Sequence, residues 1–162
     1  MQTYVPVVLI LMAVLGKCSS QGTIATDDCT VCGDPHIVTF DGKRKRDNLV
    51  PGVWHVLSQD NVNTPPRWMV TALTEFHKGG PRTKLLTVSF TCKLIDGTDN
   101  VDTVDMATVA QFGPGQVFDC PSQQVSITIG PRRCVKITVA EPRWIDGTAG
   151  PCGDNDGDKT ND

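Results

Sequence analysis

From residue 36 onward, apolar and polar residues alternate in short runs, the period-two pattern of strands with one buried face. "HIVTF" (36–40) alternates sides and stops at Asp41-Gly42. "GVWHVL" (52–57), "WMVTALTEF" (68–76), "KLLTVSFTC" (84–92), "VDTVDMATV" (101–109), "QVFDC" (116–120), "QVSITIG" (124–130) and "CVKITVA" (134–140) follow. Each run is rich in β-branched or aromatic residues and bounded by Gly, Pro, Asn or Asp. The breakers are Gly79-Gly80-Pro81, Asp96-Gly97, Gly113-Pro114-Gly115 and Gly130-Pro131. No segment carries three turns of helical periodicity behind an N-cap; "MATVAQF", from Met106, comes nearest. Many strands at short spacing predict an all-β fold, an antiparallel sandwich or barrel, in one domain. There is no internal repeat and no low-complexity segment.

The first twenty residues stand outside this pattern. "MQTYVPVVLILMAVLGKCSS" has an apolar run from Val5 to Leu15, too short to span a bilayer and followed by small residues. It reads as a secretory signal peptide cleaved after Ser20, so the mature chain is expected to be secreted and extracellular, without a transmembrane segment. Residues 21–28, "QGTIATDD", read as a polar lead-in.

Cleavage discards one of the seven cysteines, Cys18, and leaves Cys29, Cys32, Cys92, Cys120, Cys134 and Cys152. In an oxidising compartment six cysteines predict three disulfides. Loss of Lys17 takes the formal charge from −3 to −4, which argues against nucleic acid as a partner. A mature chain of about 140 residues is long enough for a real core, which the disulfides reinforce.

Two motifs bracket the predicted fold, "CTVCGDPHIVTFDG" at residues 29–42 and "GPCGDNDGDKTND" at residues 150–162. Together they resemble the von Willebrand factor type D domain, whose members start near C-x-x-x-GDPHYxTFDG and close with a GLCGNxNGDxxDD-type loop. The resemblance covers residues 29–162 and implies a disulfide-stabilised antiparallel β-sandwich. The middle of the chain matches only in its strand pattern. There are departures. "NLVPGVWHVL" lacks the cysteine usual there, and Ala149 and Gly150 stand where another is common. The chain reads as a solitary module without companion cysteine-rich modules, so polymer assembly is not carried over.

Asp154, Asp156 and Asp158 alternate around Gly157, followed by Asn161 and Asp162, a spacing that wraps hard oxygens around a calcium ion; the alternative is a solvated acidic tail. An EF-hand does not fit, because the glycine is misplaced and no twelfth-position glutamate follows. The resemblance implies a closing loop folded beside the first strand, with Asp41, Asp154, Asp156, Asn161 and Asp162 as Ca2+ ligands and the Asp158 carbonyl as a further one. It also implies a Cys29–Cys152 disulfide. The other four cysteines allow three pairings; we expect Cys120–Cys134 as a local link and Cys32–Cys92 across the sandwich.

Cys29-Thr30-Val31-Cys32 is a C-x-x-C, but the strand-to-helix context of a redox motif and a second pair for zinc are both missing. Asp34-Pro35-His36 is the one place where self-cleavage chemistry is expected: the Asp34 carboxyl attacks its own carbonyl, proline leaves, and His36 assists proton transfer. The alternative is a tetrapeptide that only shapes the start of a strand. No G-x-S-x-G or H-E-x-x-H occurs, and His36, His55 and His77 lie in separate runs, so no enzyme acting on outside substrates is expected. Lys43-Arg44-Lys45-Arg46 reads as a solvated turn, a processing site, or a patch for sulfated glycans or anionic lipids. Trp54, Trp68 and Trp144 are expected in the core. No N-x-[S/T] acceptor with a permitted middle residue is present.

The expectation is a calcium-binding module with a binding or structural role in an extracellular secretion or matrix, engaging a protein or glycan partner or other copies of itself as a homo-oligomer. Two alternatives stay open: a venom or defence effector acting on an external target, and a protein that processes itself at Asp34-Pro35.

Overall fold

A computed structural model describes residues 26–33, 35–47, 49–77, 82–107, 115–140 and 143–160. The expected signal peptide, Asp34, Asn161 and Asp162 lie outside them. Among the described residues eleven strands form two antiparallel sheets. They are β1 (Thr26–Cys32), β2 (His36–Val38), β3 (Arg44–Arg46), β4 (Trp54–Asp60), β5 (Trp68–Phe76), β6 (Thr83–Lys93), β7 (Asp99–Asp105), β8 (Gln116–Cys120), β9 (Val125–Gly130), β10 (Cys134–Ala140) and β11 (Thr148–Ala149). The first sheet runs β3-β2-β1-β10-β9-β8 and the second β11-β4-β5-β6-β7. None of the described helical residues forms a segment long and apolar enough to cross a membrane.

Alternation decides which side chains meet. In β9 and β10, Ile127, Ile129, Val135, Ile137 and Val139 turn inward, and in β5 and β6 Trp68, Val70, Ala72, Val88 and Phe90 do the same. These inner faces form one buried cluster between the sheets. Each fully buried branched or aromatic side chain stabilises by about 1.5–3 kcal/mol relative to exposure. Trp68 and Trp144 cross edge to face at 5.5 Å within it.

Several expectations are corrected. The lead-in is not all lead-in: β1 begins at Thr26, and Thr26, Asp27 and Asp28 pair with Ala140, Val139 and Thr138. Trp54 is 49% exposed, because its register with Leu73 puts it on the outer face of the second sheet. Of the basic run, Arg44, Lys45 and Arg46 are strand rather than turn, paired with β2, and Lys43 precedes them.

Cys29 joins Cys152, the pair that the resemblance implies. The remaining pairs are Cys32–Cys134 and Cys92–Cys120, neither of those expected. Facing explains both. Cys32 sits directly opposite Cys134 on the outward side of neighbouring strands. Cys120 points inward from β8 and is separated from β10 by β9, so it bridges the sandwich to the inward Cys92 of β6. Cys29 and Cys32 are three apart on one strand and face opposite ways, so the C-x-x-C is divided between two disulfides.

Candidate metal centre

The site is built where β2 gives way to a turn. Gly42, at φ 76, takes the left-handed conformation that a side chain would resist, and its amide bonds the Thr39 carbonyl at 2.9 Å. The Lys43 amide bonds Thr39 Oγ1 at 3.0 Å. This turn presents Asp41 at its tip, while Phe40 is buried and its amide donates to the Cys152 carbonyl at 3.1 Å.

The closing loop comes to meet it. Cys152 is tied by its disulfide to Cys29 and by its amide to the Leu57 carbonyl at 3.2 Å. Gly150 passes so close that a Cβ would lie 2.8 Å from the Leu57 oxygen. The buried Thr148 hydroxyl donates to the Gly153 carbonyl at 2.8 Å. Asn155, 3% exposed, donates to the Trp144 carbonyl at 3.4 Å, and the Trp144 indole donates to the Gln123 carbonyl at 2.7 Å. The loop is therefore bonded to the core just before Asp154 and, through Asn155, between Asp154 and Asp156.

Asp154 and Asp156 flank Asn155, which sits at φ 62. Each offers a carboxylate oxygen that, with one from Asp41, forms a set within 4.8 Å of one another. All three residues are half-buried. Asp41 Oδ1 accepts the Gly157 amide at 2.7 Å. Asp41 Oδ2 and Asp154 Oδ1 are buried and accept no hydrogen bond. Oxygens bound to one calcium ion at 2.3–2.6 Å lie at most about 5 Å apart, so this all-oxygen set fits a calcium ion as it stands.

Asp158 is placed differently. Its Oδ1 accepts both the Thr160 hydroxyl at 2.7 Å and the Thr160 amide at 2.9 Å. The hydroxyl bond is the largest cause that holds its carboxyl below the usual aspartate range. The Asp158 amide in turn donates to Asp156 Oδ1 at 2.6 Å, so successive side-chain turns wind the loop. Asn161 and Asp162, the last ligands expected, lie outside the described residues.

A cleft of about 330 Å3 opens beside the carboxylates, lined by Asp27, Phe40, Asp41, Ile145, Asn155, Asp156 and Gly157. Sequence reasoning missed Asp27. Its two-residue spacing from the inward Cys29 was the signal that places it on this side of β1.

The two terminal motifs are thus held side by side by a disulfide and by backbone bonds. A sequence profile for the von Willebrand factor type D domain matches residues 29–162. The chain belongs to this family. No curated protein matches the sequence. Type D domains are generally non-enzymatic adhesion or structural modules of disulfide-bearing extracellular proteins, and this chain carries three such bonds among its described residues. At the tetrapeptide of this type D domain, Asp34 lies outside the described residues, Pro35 is buried and its carbonyl accepts the Asp47 amide at 3.2 Å. His36 is exposed at the start of β2, His55 lies on β4 with Nε2 2.8 Å from the Val50 carbonyl, and His77 follows β5. The histidines stay apart, as their separate runs imply.

Proposed function

We propose that this chain is a secreted, non-enzymatic type D module closed by a calcium ion, serving a binding or structural role in an extracellular secretion or matrix. The observation that carries the reading is the set of three carboxylate oxygens within 4.8 Å, contributed by the first turn and the closing loop. Three like charges at that spacing repel, and a hard divalent cation relieves the repulsion while joining the two ends. Asp41, Asp154 and Asp156 hold the ion, with Asn161, Asp162 and the Asp158 carbonyl filling further positions. The ion's part is structural: it fixes the loop that lies over Phe40 and Cys152.

Calorimetric titration of the purified protein with CaCl2 tests the ion site; one saturable site per chain is expected, and no heat above dilution would overturn it. Light scattering in calcium and then in chelator tests the role. Assembly driven by calcium favours a matrix-building module, and a monomer in both conditions favours a soluble binding module.

A further inference from the structure

The three disulfides do not lie at one depth. Cys29, Cys152, Cys92 and Cys120 are at most 1% exposed, whereas Cys32 and Cys134 are both half-buried on the outer face of the first sheet. Their bridge joins directly opposed residues, so it lies across β1 and β10 rather than along them. It also closes the last of the seven residue pairs between these strands. Six pairs hold β1 to β10 without it, and Cys29–Cys152 still ties β1 to the closing loop.

The two sulfurs are not equally covered. On the side of Cys134 away from Cys32, the opposite residue on β9 is Gly130. A Cβ there would stand 3.4 Å from the Cys134 Cβ, so glycine leaves that flank uncovered. The backbone does not require glycine, because φ −96 and ψ 174 are extended values that any residue adopts. Lys136, the next residue of β10 on this face, leans away from Cys134 to bond Asp28 at 3.1 Å. On the far side of Cys32 the opposite residue, on β2, is His36, which carries a full side chain. The turn into Cys134 is strained as well, with Arg132 and Arg133 at φ 58 and 60. Such strain persists where the surroundings hold it, and the bridge at Cys134 is one of those restraints.

We propose that Cys32–Cys134 is a site of reversible conjugation to low-molecular-weight thiols. A thiolate attacks Cys134 Sγ in line with the S–S bond, entering over Gly130. A new bond forms between its sulfur and Cys134 Sγ, the bridge breaks, and Cys32 leaves as a thiolate that takes a proton from water. One disulfide is exchanged for another, so no separate oxidant or reductant is consumed. In-line attack at Cys32 is hindered, because it enters from the His36 side. The freed Cys32 faces outward and Cys29 inward, so it meets neither buried bridge and does not reshuffle the pairing. Its return attack on Cys134 Sγ expels the thiol and restores the bridge. An opening one side chain wide suits a slender aliphatic thiol better than a cysteine set in a folded protein surface. The degree of conjugation then follows the thiol–disulfide poise of the surrounding fluid.

The test is brief exposure of the full chain to 2-mercaptoethanol, an uncharged thiol, then trapping with N-ethylmaleimide and peptide mass mapping. We expect maleimide on Cys32, the mercaptoethanol adduct on Cys134, and both buried bridges intact. The outer bridge should open at least about ten-fold faster than either buried one, which exchanges only when the sandwich itself opens. Gly130→Val covers the flank of Cys134 without backbone strain, so it should slow the outer bridge at least about five-fold. The rates of the buried bridges should not change in that variant, a readout that separates shielding from a folding defect. Opening of all three bridges at one rate, an adduct on Cys32 in place of Cys134, or a Gly130→Val rate equal to that of the wild type would overturn the proposal.

Discussion

The Gly157 amide donates to Asp41 Oδ1 at 2.7 Å, joining residues 116 apart in the chain. This bond places the closing loop against the first turn at the point where Asp154 and Asp156 converge on Asp41. The loop's position is thus set by this bond together with the disulfide and backbone contacts of Cys152.

Asp156→Asn keeps an oxygen to accept the Asp158 amide while removing one charge from the cluster. Calcium affinity should fall at least about ten-fold, equivalent to about 1.4 kcal/mol. In chelator the variant should melt no lower than the wild type, because like-charge repulsion is reduced. Calorimetric titration and thermal melts in both conditions check this.

The Cys29–Cys152 bridge spans 123 residues and the Cys92–Cys120 bridge 28. Chain-entropy reasoning assigns them about 5 and about 3.5 kcal/mol. Replacing both cysteines of the first pair by alanine should therefore destabilise more, and should also lower calcium affinity by releasing the loop from the turn. The second pair should cost stability with little effect on affinity. Denaturant titration with parallel calcium binding separates them.

Gly150→Ala would bring a Cβ within 2.8 Å of the Leu57 carbonyl oxygen, at a residue with φ 114. Backbone must shift on one side, so a loss of about 2 kcal/mol or more is expected, together with weaker calcium binding. Chemical denaturation and titration measure the two effects.

Glu75 ties β5 to Lys84 at 2.8 Å and to Arg133, in the turn between β9 and β10, at 3.3 Å. The Lys84 bond is the largest cause holding its carboxyl below the usual glutamate range, and Arg133 adds to it. A lowered folded-state pKa contributes stability above the unfolded value of about 4.3 and loses it as pH falls through the folded value. Glu75→Gln should thus be less stable than wild type at pH 7, by less than about 1 kcal/mol for so exposed a pair. The two should converge below about pH 4, as melts across that range would record.

How far the sequence reaches depends on what each feature needs. The long strands β5, β6, β9 and β10 were legible because their alternation is uninterrupted over the buried face. The Asp41-Gly42 stop was legible because a left-handed turn selects glycine. β1 was hidden by Asp27 and Asp28, polar residues on both faces of a strand that runs between two others. Trp54 misled because a register shift between Val56 and Ser58 buries Leu57 and Ser58 together and leaves the aromatic outside. The disulfide pairing required facing and strand order, neither of which spacing supplies. At the site, Asp154 and Asp156 stood out as alternating loop carboxylates and Asp41 came only from the family resemblance, whereas Asp27 looked like part of a polar lead-in.

The most direct measurement is the thermal midpoint of the wild-type protein as calcium is raised from chelator to saturation. An ion bound only by the folded chain stabilises by RT ln(1 + [L]/Kd), about 4 kcal/mol at a thousand-fold excess over Kd. The account predicts a midpoint that climbs steadily with calcium. A midpoint identical in chelator and in millimolar calcium would contradict it.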